Sequence, residues 1–371
     1  MNHTHETVII GGGQTGLAAG HHLAKRGIDF VILEARERIG DIWRSRWESL
    51  KLYSPARYDA LPGMPFPASR NHFPTSSEMA DYLEAYADSQ RLPVRTGVRV
   101  DRVMADGDGY RVETSDGPYA ARQVIVASGG FRDPYVPPAA TELSPSIRQL
   151  HSSAYRTPDQ LADGPVLVVG LSHSGADLAH EAARTGRRTV LSGVSHGQLP
   201  FSVDSRRGRL MWPLLRFLAT NVLTLNTPIG RKMAPEVRTG GAPLLRYRRQ
   251  DLISDGVELR DARFTGARDG QPMLADDSVH DVATVVWCTG FRPDYSWVTP
   301  ASVDDYGWPI EERGVVADSP GLYFLGIPFQ FGFTSMLVLG AGRDAGYVAE
   351  RVARHATART DPRPRAMQGA G

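Results

Sequence analysis

Eleven residues near the N-terminus set the strictest limit on the fold: Thr7-Val-Ile-Ile-Gly-Gly-Gly-Gln-Thr-Gly-Leu17. The apolar run Val8 to Ile10 meets glycines at Gly11, Gly13 and Gly16. A helical pattern follows to Gly27, and a second apolar run from Phe30 ends in Glu34. The pattern predicts strand, glycine turn, helix and strand, closed by an acid. Gly11 permits the tight turn, Gly13 lets the backbone approach a pyrophosphate, and Gly16 lets the helix pack closely on its strand. Free N–H groups at the helix start receive phosphates. Glu34, 18 residues beyond Gly16, is placed to accept hydrogen bonds from ribose hydroxyls.

The unit occurs twice. Val166-Leu-Val-Val-Gly-Leu-Ser-His-Ser-Gly-Ala176 repeats strand and turn, an alanine-rich helix runs to Gly186, and a strand follows at Thr189 to Leu191. An offset of 159 carries Gly11 to Gly170, Gly16 to Gly175 and Gly27 to Gly186. Two nucleotide sites are expected, in preference to one site and an inactive duplicate. The same offset carries Glu34 to Gly193. A carboxylate suits the 2′-hydroxyl of NAD and repels the 2′-phosphate of NADP. Ser192, Gly193 and Ser195 offer room and hydroxyls, and Arg187, Arg188, Arg206 and Arg207 are candidate cations, each otherwise a solvated surface residue. Together they tilt the second site toward NADPH. Gly13 corresponds to Ser172, and the adjoining His173 reads most simply as a histidine exposed at a helix start.

At 371 residues the chain exceeds one ordinary core, so two or three α/β lobes are expected. A net charge of +1 makes no electrostatic case for nucleic acid or an anionic membrane. The single cysteine, Cys288, excludes an internal disulfide and a redox-active CxxC; it fits a reducing cytoplasm and reads as a small packing residue at a strand end. Met1 to Glu6 lacks the basic and apolar regions of a signal peptide.

Several segments extend this frame. Thr75-Ser-Ser-Glu78 reads as a capping box opening a helix to about Gln90. Val94 to Val112 is β-rich, Gln123 to Ala127 is a buried strand, and Ser128-Gly-Gly130 with Pro134, Pro137 and Pro138 makes a crossing out of the first lobe. Short strands fill Asp255 to Asp281. Val282 to Phe291 and Gly321 to Gly326 give two more strands, and Gly340 to Arg354 a last helix. The most apolar run, Leu210 to Leu225, contains Pro213, Arg216 and Asn221 and is a poor transmembrane span. A buried helix pair is the expectation, ahead of a lid over a substrate pocket or a membrane-touching surface.

Taken together, these passages resemble the flavin-dependent monooxygenases of the single-component, NADPH-using class, above all the short bacterial members and the plant enzymes of auxin synthesis. Both glycine motifs carry the likeness. So do Gly40 and Trp43, Phe73-Pro-Thr75, Val124-Ile-Val-Ala-Ser-Gly129, His151-Ser-Ser-Ala-Tyr155, Trp287-Cys-Thr-Gly-Phe-Arg-Pro-Asp-Tyr-Ser-Trp297 and Gly342-Arg-Asp344; it spans Val8 to Ala353. His151 to Tyr155 matches the second half of the family's fingerprint, FxGxxxHxxxY/F; Pro145 and Ile147 depart from its Phe and Gly. The arginine expected near Ser192 is absent.

The resemblance implies an α/β fold of two Rossmann-like dinucleotide-binding domains. Residues 1–150 and 286–355 form the FAD domain, residues 151–285 the inserted NADPH domain, and residues 356–371 a disordered tail. On this resemblance FAD would lie on Gly11, Gly13, Gln14, Thr15 and Gly16, with Glu34 at the ribose, Val100 near the adenine, and Gly40, Trp43 and Ser54 toward the flavin; Arg36, Ser128 and Gly129 are further FAD-binding candidates. NADPH lies on Gly170, Ser172, His173, Ser174 and Gly175, with Ser192, Arg187 and Arg188 beyond. In enzymes of that class NADPH reduces FAD, O2 adds to give a flavin hydroperoxide, and one oxygen passes to a nucleophilic N or S or to a carbonyl, and the resemblance implies the same here. No acid–base pair is assigned. The expected pocket joins the Ser54 to Met64 loop, Leu210 to Leu225 and Phe329 to Phe333, an aromatic set for a small neutral molecule. Two rival readings stay open: an FAD-dependent NAD(P)H oxidoreductase without oxygen insertion, and a non-catalytic redox-sensing flavoprotein. No partner beyond substrate and O2 is expected, neither nucleic acid nor membrane, and the sequence is silent on oligomeric state.

Overall fold

In the computed structural model, which describes residues 3–360, β1 (His3–Ile10) runs into the first glycine turn and α1 (Gln14–Ala24) leaves it. β2 (Phe30–Leu33) then lies parallel to β1, with Val8 opposite Val31. A single turn, α2 (Asp41–Arg44), precedes α3 (Ser76–Ser89), which opens on the expected capping box. There Glu78 N donates to Thr75 Oγ1 at 3.1 Å, and Thr75 N to Glu78 Oε2 at 2.7 Å. β3 (Val94–Arg95), β4 (Val100–Asp106), β5 (Gly109–Thr114) and β6 (Tyr119–Val126) follow.

Beyond the short β7 (Asp133–Pro134) come β8 (Arg148–His151), β9 (Val166–Val169), α4 (His173–Arg184) and β10 (Thr189–Ser192). α5 (Arg206–Phe217), α6 (Pro228–Thr239) and α7 (Arg249–Ser254) lead to β11 (Val257–Arg260). The hairpin β12 (Phe264–Arg268) and β13 (Gln271–Leu274) precedes β14 (Thr284–Trp287) and β15 (Phe291–Arg292). β16 (Leu322–Phe324) and α8 (Val338–Thr360) end the described chain.

Two sheets organise these elements. The first has the order β3-β2-β1-β6-β5-β4, with β16 parallel to the C-terminal half of β6. Its β3, β2, β1 and β6 are mutually parallel, while β4 and β5 are antiparallel. The second sheet, β11-β10-β9-β14-β8, is parallel throughout. Strand alternation sorts the core. Ile9 and Ile32 face Leu17 and Leu23 of α1, Leu83 of α3 and Val348 of α8. Val8 and Ile10 face the opposite layer, with Val103, Trp297 and Trp308. Each such aliphatic side chain stabilises the fold by about 1.5–3 kcal/mol relative to exposure.

The seams expected after residues 150 and 285 fall inside β8 and β14, and both strands belong wholly to the second sheet. The chain crosses between the sheets just outside them, where β7 and β15 pair antiparallel, Phe291 opposite Pro134. Tyr135 N donates to Gly290 O at 2.9 Å, and His151 Nε2 lies 3.0 Å from the same carbonyl. His151 therefore fastens the two crossings together. The last helix, expected to stop at Arg354, continues to Thr360 because Ala353, Ala356 and the residues around them are good helix formers. That corrects the first part of the expected disordered tail; its remainder, 361–371, lies outside the described residues.

Candidate functional site

Both glycine turns sit at the C-terminal ends of central parallel strands, where open α/β sheets bind ligands. Gly11 has φ +109° and Gly170 φ +122°. A Cβ on Gly11 would lie 2.6 Å from Ala127 O, and one on Gly170 2.2 Å from Cys288 O. At Gly16 and Gly175 a Cβ would lie 1.9 Å from the carbonyl oxygens of Gly11 and Gly170 respectively. Close helix–strand packing thus explains these four glycines from within the chain. Gly13 is different: a Cβ there would meet nothing within 4 Å, and its φ of −78° suits any residue. Nothing in the protein requires glycine at 13, but a phosphate seated on the N–H groups of Gln14 and Thr15 does. The residues present therefore fit a dinucleotide.

Around this first cradle, Glu34 is held in place by the turn. Gly12 N donates to Glu34 Oε2 at 2.7 Å and Arg36 N to Oε1 at 2.9 Å, leaving the outer lone pairs of a fixed carboxylate. Val98 N donates to Glu34 O at 3.0 Å, which brings the buried Val100 alongside. Gly40 has φ +86°, and a Cβ there would lie 2.6 Å from Ala80 O, so its glycine serves the α2–α3 contact. Trp43 packs between the cores of both sheets, and its Nε1 is buried without a partner. Ser54 donates to Asp59 Oδ1 at 2.5 Å, while Asp59 Oδ2 is buried and unpartnered. Burial pushes the Asp59 carboxyl up to about 7. Ser128 is exposed beside the Gly11 turn, and Gly129 takes φ +70°.

Sequence reasoning named Arg36 but missed the two arginines that gather with it. Arg36, Arg46 and Arg132 converge on a cleft of ≈ 260 Å³, walled by Ile42, Ser45, Phe131 and Phe291. Among the described residues none of the three guanidinium groups has an ion pair or hydrogen bond. Arg46 and Arg132 lie over aromatic rings, of Phe291 at 5.5 Å and Trp297 at 5.7 Å. Burial and the nearby Arg36 hold the Arg46 pKa below its usual value. By contrast Arg44, two residues earlier, is paired with Asp41, Asp81 and Glu84. Three unpaired cations at one cleft suit an anion.

In the second cradle Ser172 caps α4 with extended backbone, and Ser174 and Gly175 form its first turn. His173 is drawn into the seam, contrary to the exposed position expected, because the Tyr53 ring packs edge-on against it at 5.0 Å. Burial and Arg246 lower His173 to about 4, so it is neutral at physiological pH. One turn along α4, the buried Asp177 accepts from Tyr53 OH at 2.7 Å and from Arg246 NH1 at 3.3 Å. Arg246 also donates to Asp204 Oδ2 at 3.0 Å and Leu52 O at 3.0 Å. Burial raises Asp177 to about 6. This network ties the Tyr53 loop to the second sheet's first helix. The sequence signal for it was an acid one turn after His173 in a run of alanines.

Ser192 ends β10 buried, and Gly193 has φ +151°; a Cβ there would lie 2.5 Å from Leu171 N, so the turn itself excludes a side chain at this position. Arg187 and Arg188 do not reach this end. They precede β10 at its N-terminal edge, roughly 10 Å away at about 3.3 Å per residue. Arg187 there donates to Ala162 O at 3.3 Å, and Arg188 to Glu258 Oε2 at 3.2 Å. Their assignment to the nucleotide is corrected: adjacency in sequence put them at the wrong end of a strand. Arg206 and Arg207 lie exposed on α5.

The three expected pocket segments do meet. Tyr58 and Trp212 rings lie 5.8 Å apart, Leu225 N donates to Phe331 O at 2.9 Å, and Phe333 N to Leu223 O at 2.9 Å. The run from Leu210 is not a buried helix pair, however: only Gly208 of α5 is buried, and its apolar side chains point outward or lie half-covered. Cys288 is half-buried at the end of β14, where burial pushes its thiol well up.

Comparison with known proteins matches residues 8–201 to the pyridine nucleotide-disulphide oxidoreductase family. A CzcO-like oxidoreductase of Geobacillus kaustophilus is 36% identical over 356 residues, covering 96% of this chain and 100% of that protein. The indole-3-pyruvate monooxygenase YUCCA1 of rice is 29% identical, covering 93% and 90%. Among solved structures, a flavin-containing monooxygenase from Stenotrophomonas maltophilia matches with a TM-score of 0.77 at 28% identity, covering 96% and 100%.

Proposed function

The chain belongs to the pyridine nucleotide-disulphide oxidoreductase family, and on that premise we propose that its two cradles work as one site, inserting an oxygen atom of O2 into a small neutral molecule. It is a flavin-dependent monooxygenase, an oxidoreductase that uses FAD and NADPH. The observation that supports the joint site is the contact of Tyr53 with His173 and Asp177, which joins the loop after α2 to the helix that leaves the second turn.

Each cofactor has its set of residues. The N–H groups of Gln14 and Thr15 and the cations Arg36, Arg46 and Arg132 take the FAD pyrophosphate, and Glu34 takes the adenosine ribose. Gly40, Trp43 and Ser54 border the flavin end. Ser172, His173 and Ser174 would present the second helix start to NADPH, and Gly193, standing where the first unit has Glu34, would spare its 2′-phosphate the repulsion of a carboxylate. Neutral His173 and the Asp177–Arg246 pair fix the wall where the Tyr53 loop meets α4. The first sheet, built from the segments before β8 and after β14, would carry FAD, and the second sheet, built from the segment between, NADPH. Bound FAD supplies hydride acceptance and O2 activation. The Tyr58, Trp212 and Phe331 to Phe333 surfaces exclude water from the reacting centre.

A dithiol mechanism is closed to this chain, whose single thiol is Cys288. The lone cysteine suits the cytoplasm, where we place it; no described helix is long and apolar enough to cross a membrane. Anaerobic NADPH should bleach the yellow protein faster than NADH, and equal rates would overturn the inference from Gly193. Re-admitting O2 should return oxidised flavin in two spectral phases. A single phase with stoichiometric H2O2 favours the rival NAD(P)H oxidase.

A further inference from the structure

The apolar run that opens at Leu210 lies outside the molecule in a patterned way. On α5, Leu210 is 80% exposed, Leu214 48% and Phe217 56%. Spaced i, i+4 and i+7, they share one helix face. Ile229, in the first turn of α6, is likewise 56% exposed. The inner face holds the helix in place: Trp212 Nε1 donates to Val203 O at 3.2 Å, and Met211 and Leu215 are half-covered.

Charge shows what the outer face fits. From Ser205 to Met233 there is no Asp or Glu but six cations: Arg206, Arg207, Arg209, Arg216, Arg231 and Lys232. Among the described residues none of them is ion-paired. The whole chain nets only +1, so this is a local concentration. At about 100° per residue, Arg206 and Arg207 stand one turn before Leu210, on either side of the apolar stripe, and Arg209 and Arg216 run along one edge. A two-fold contact of this face with itself would set these cations against one another. An anionic bilayer satisfies both features, since apolar side chains enter the interface while arginines meet phosphate.

We propose that the α5–α6 face docks on the surface of an anionic lipid bilayer without crossing it. This reverses the expectation, drawn from the net charge, of no membrane contact. It does not rest on the monooxygenase reading. Docking would set the lipid beside the pocket wall, since Arg57 NH2 donates to Arg209 O at 3.5 Å and Tyr58 meets Trp212.

The test is co-sedimentation of the flavin-loaded protein with vesicles of pure phosphatidylcholine and of a phosphatidylcholine–phosphatidylglycerol mixture. Binding is expected to the mixed vesicles alone, with release in ~1 M NaCl, where charges are screened within about 3 Å. The double variant Arg206→Ala, Arg207→Ala should bind roughly 25-fold more weakly, about five-fold per cation, and Phe217→Glu should not bind. Flavin absorbance and melting midpoint report folding in each variant. A folded wild type that ignores anionic vesicles overturns the proposal, as does a Phe217→Glu variant that binds normally. A wild-type dimer that Phe217→Glu converts to monomer, with no vesicle binding, identifies a self-interface instead.

Discussion

Gly13→Asp separates cofactor binding from the folding of the first turn. Gly13 caps α1 with φ −78° and ψ −175°, and a Cβ there has no neighbour within 4 Å. Asp is favoured at a helix N-cap and its charge suits the helix start, so the cofactor-free variant should gain about 0.5–1 kcal/mol over the cofactor-free wild type. The same carboxylate would repel a phosphate seated on this helix start, at a separation of about 4 Å for groups in near contact. Repulsion at that distance is about 4 kcal/mol at an effective dielectric constant of about 20, roughly a thousand-fold in affinity. The assay is FAD titration of deflavinated protein by fluorescence quenching, beside its melting midpoint. A variant that binds FAD within about ten-fold of wild type, or one that fails to fold without FAD, refutes the reasoning. Gly16→Ala supplies the contrast: with a Cβ placed 1.9 Å from Gly11 O, the turn itself must break.

Ser172→Asp should keep the yellow colour and melting midpoint while raising the NADPH Kd about a hundred-fold or more; rapid-equilibrium titration reads it. Gly175→Val cannot replace it, because that Cβ would strike Gly170 O at 1.9 Å. Arg46→Met should weaken FAD binding at least ten-fold yet leave the cofactor-free protein about as stable, since it removes a half-buried cation that has no ion pair and keeps an apolar side chain against Phe291; a fall in both sinks the anion-site assignment. Asp59→Asn tests burial of a carboxyl whose pKa rises to about 7 in the fold. The folded state then holds an extra proton from about pH 4 to 7, so the Asp59 contribution to stability falls as pH rises, by about 1.4 kcal/mol per unit and about 4 kcal/mol in all. The variant should match wild type near pH 4 and exceed it near pH 8 in urea denaturation.

How far the sequence could be read depended on the range of the interaction. The glycine turns were legible because each constraint, at Gly11 with Gly16 and at Gly170 with Gly175, is closed within a few residues. Capping at Thr75 and Glu78 was local in the same way. Arg46 and Arg132 were not legible as partners, since one follows α2 and the other β6 and only the fold brings them to one cleft. Arg187 and Arg188 misled because nearness along the chain says nothing about which end of a strand a side chain occupies. On α5 the apolar spacing was visible, but periodicity defines a face without saying whether protein lies against it.

The paired crossings β7 and β15 have a mechanical consequence. A single covalent tether would let two bodies splay apart freely, whereas a hydrogen-bonded double strap resists opening like a hinge pin and yields most readily to torsion about its own length.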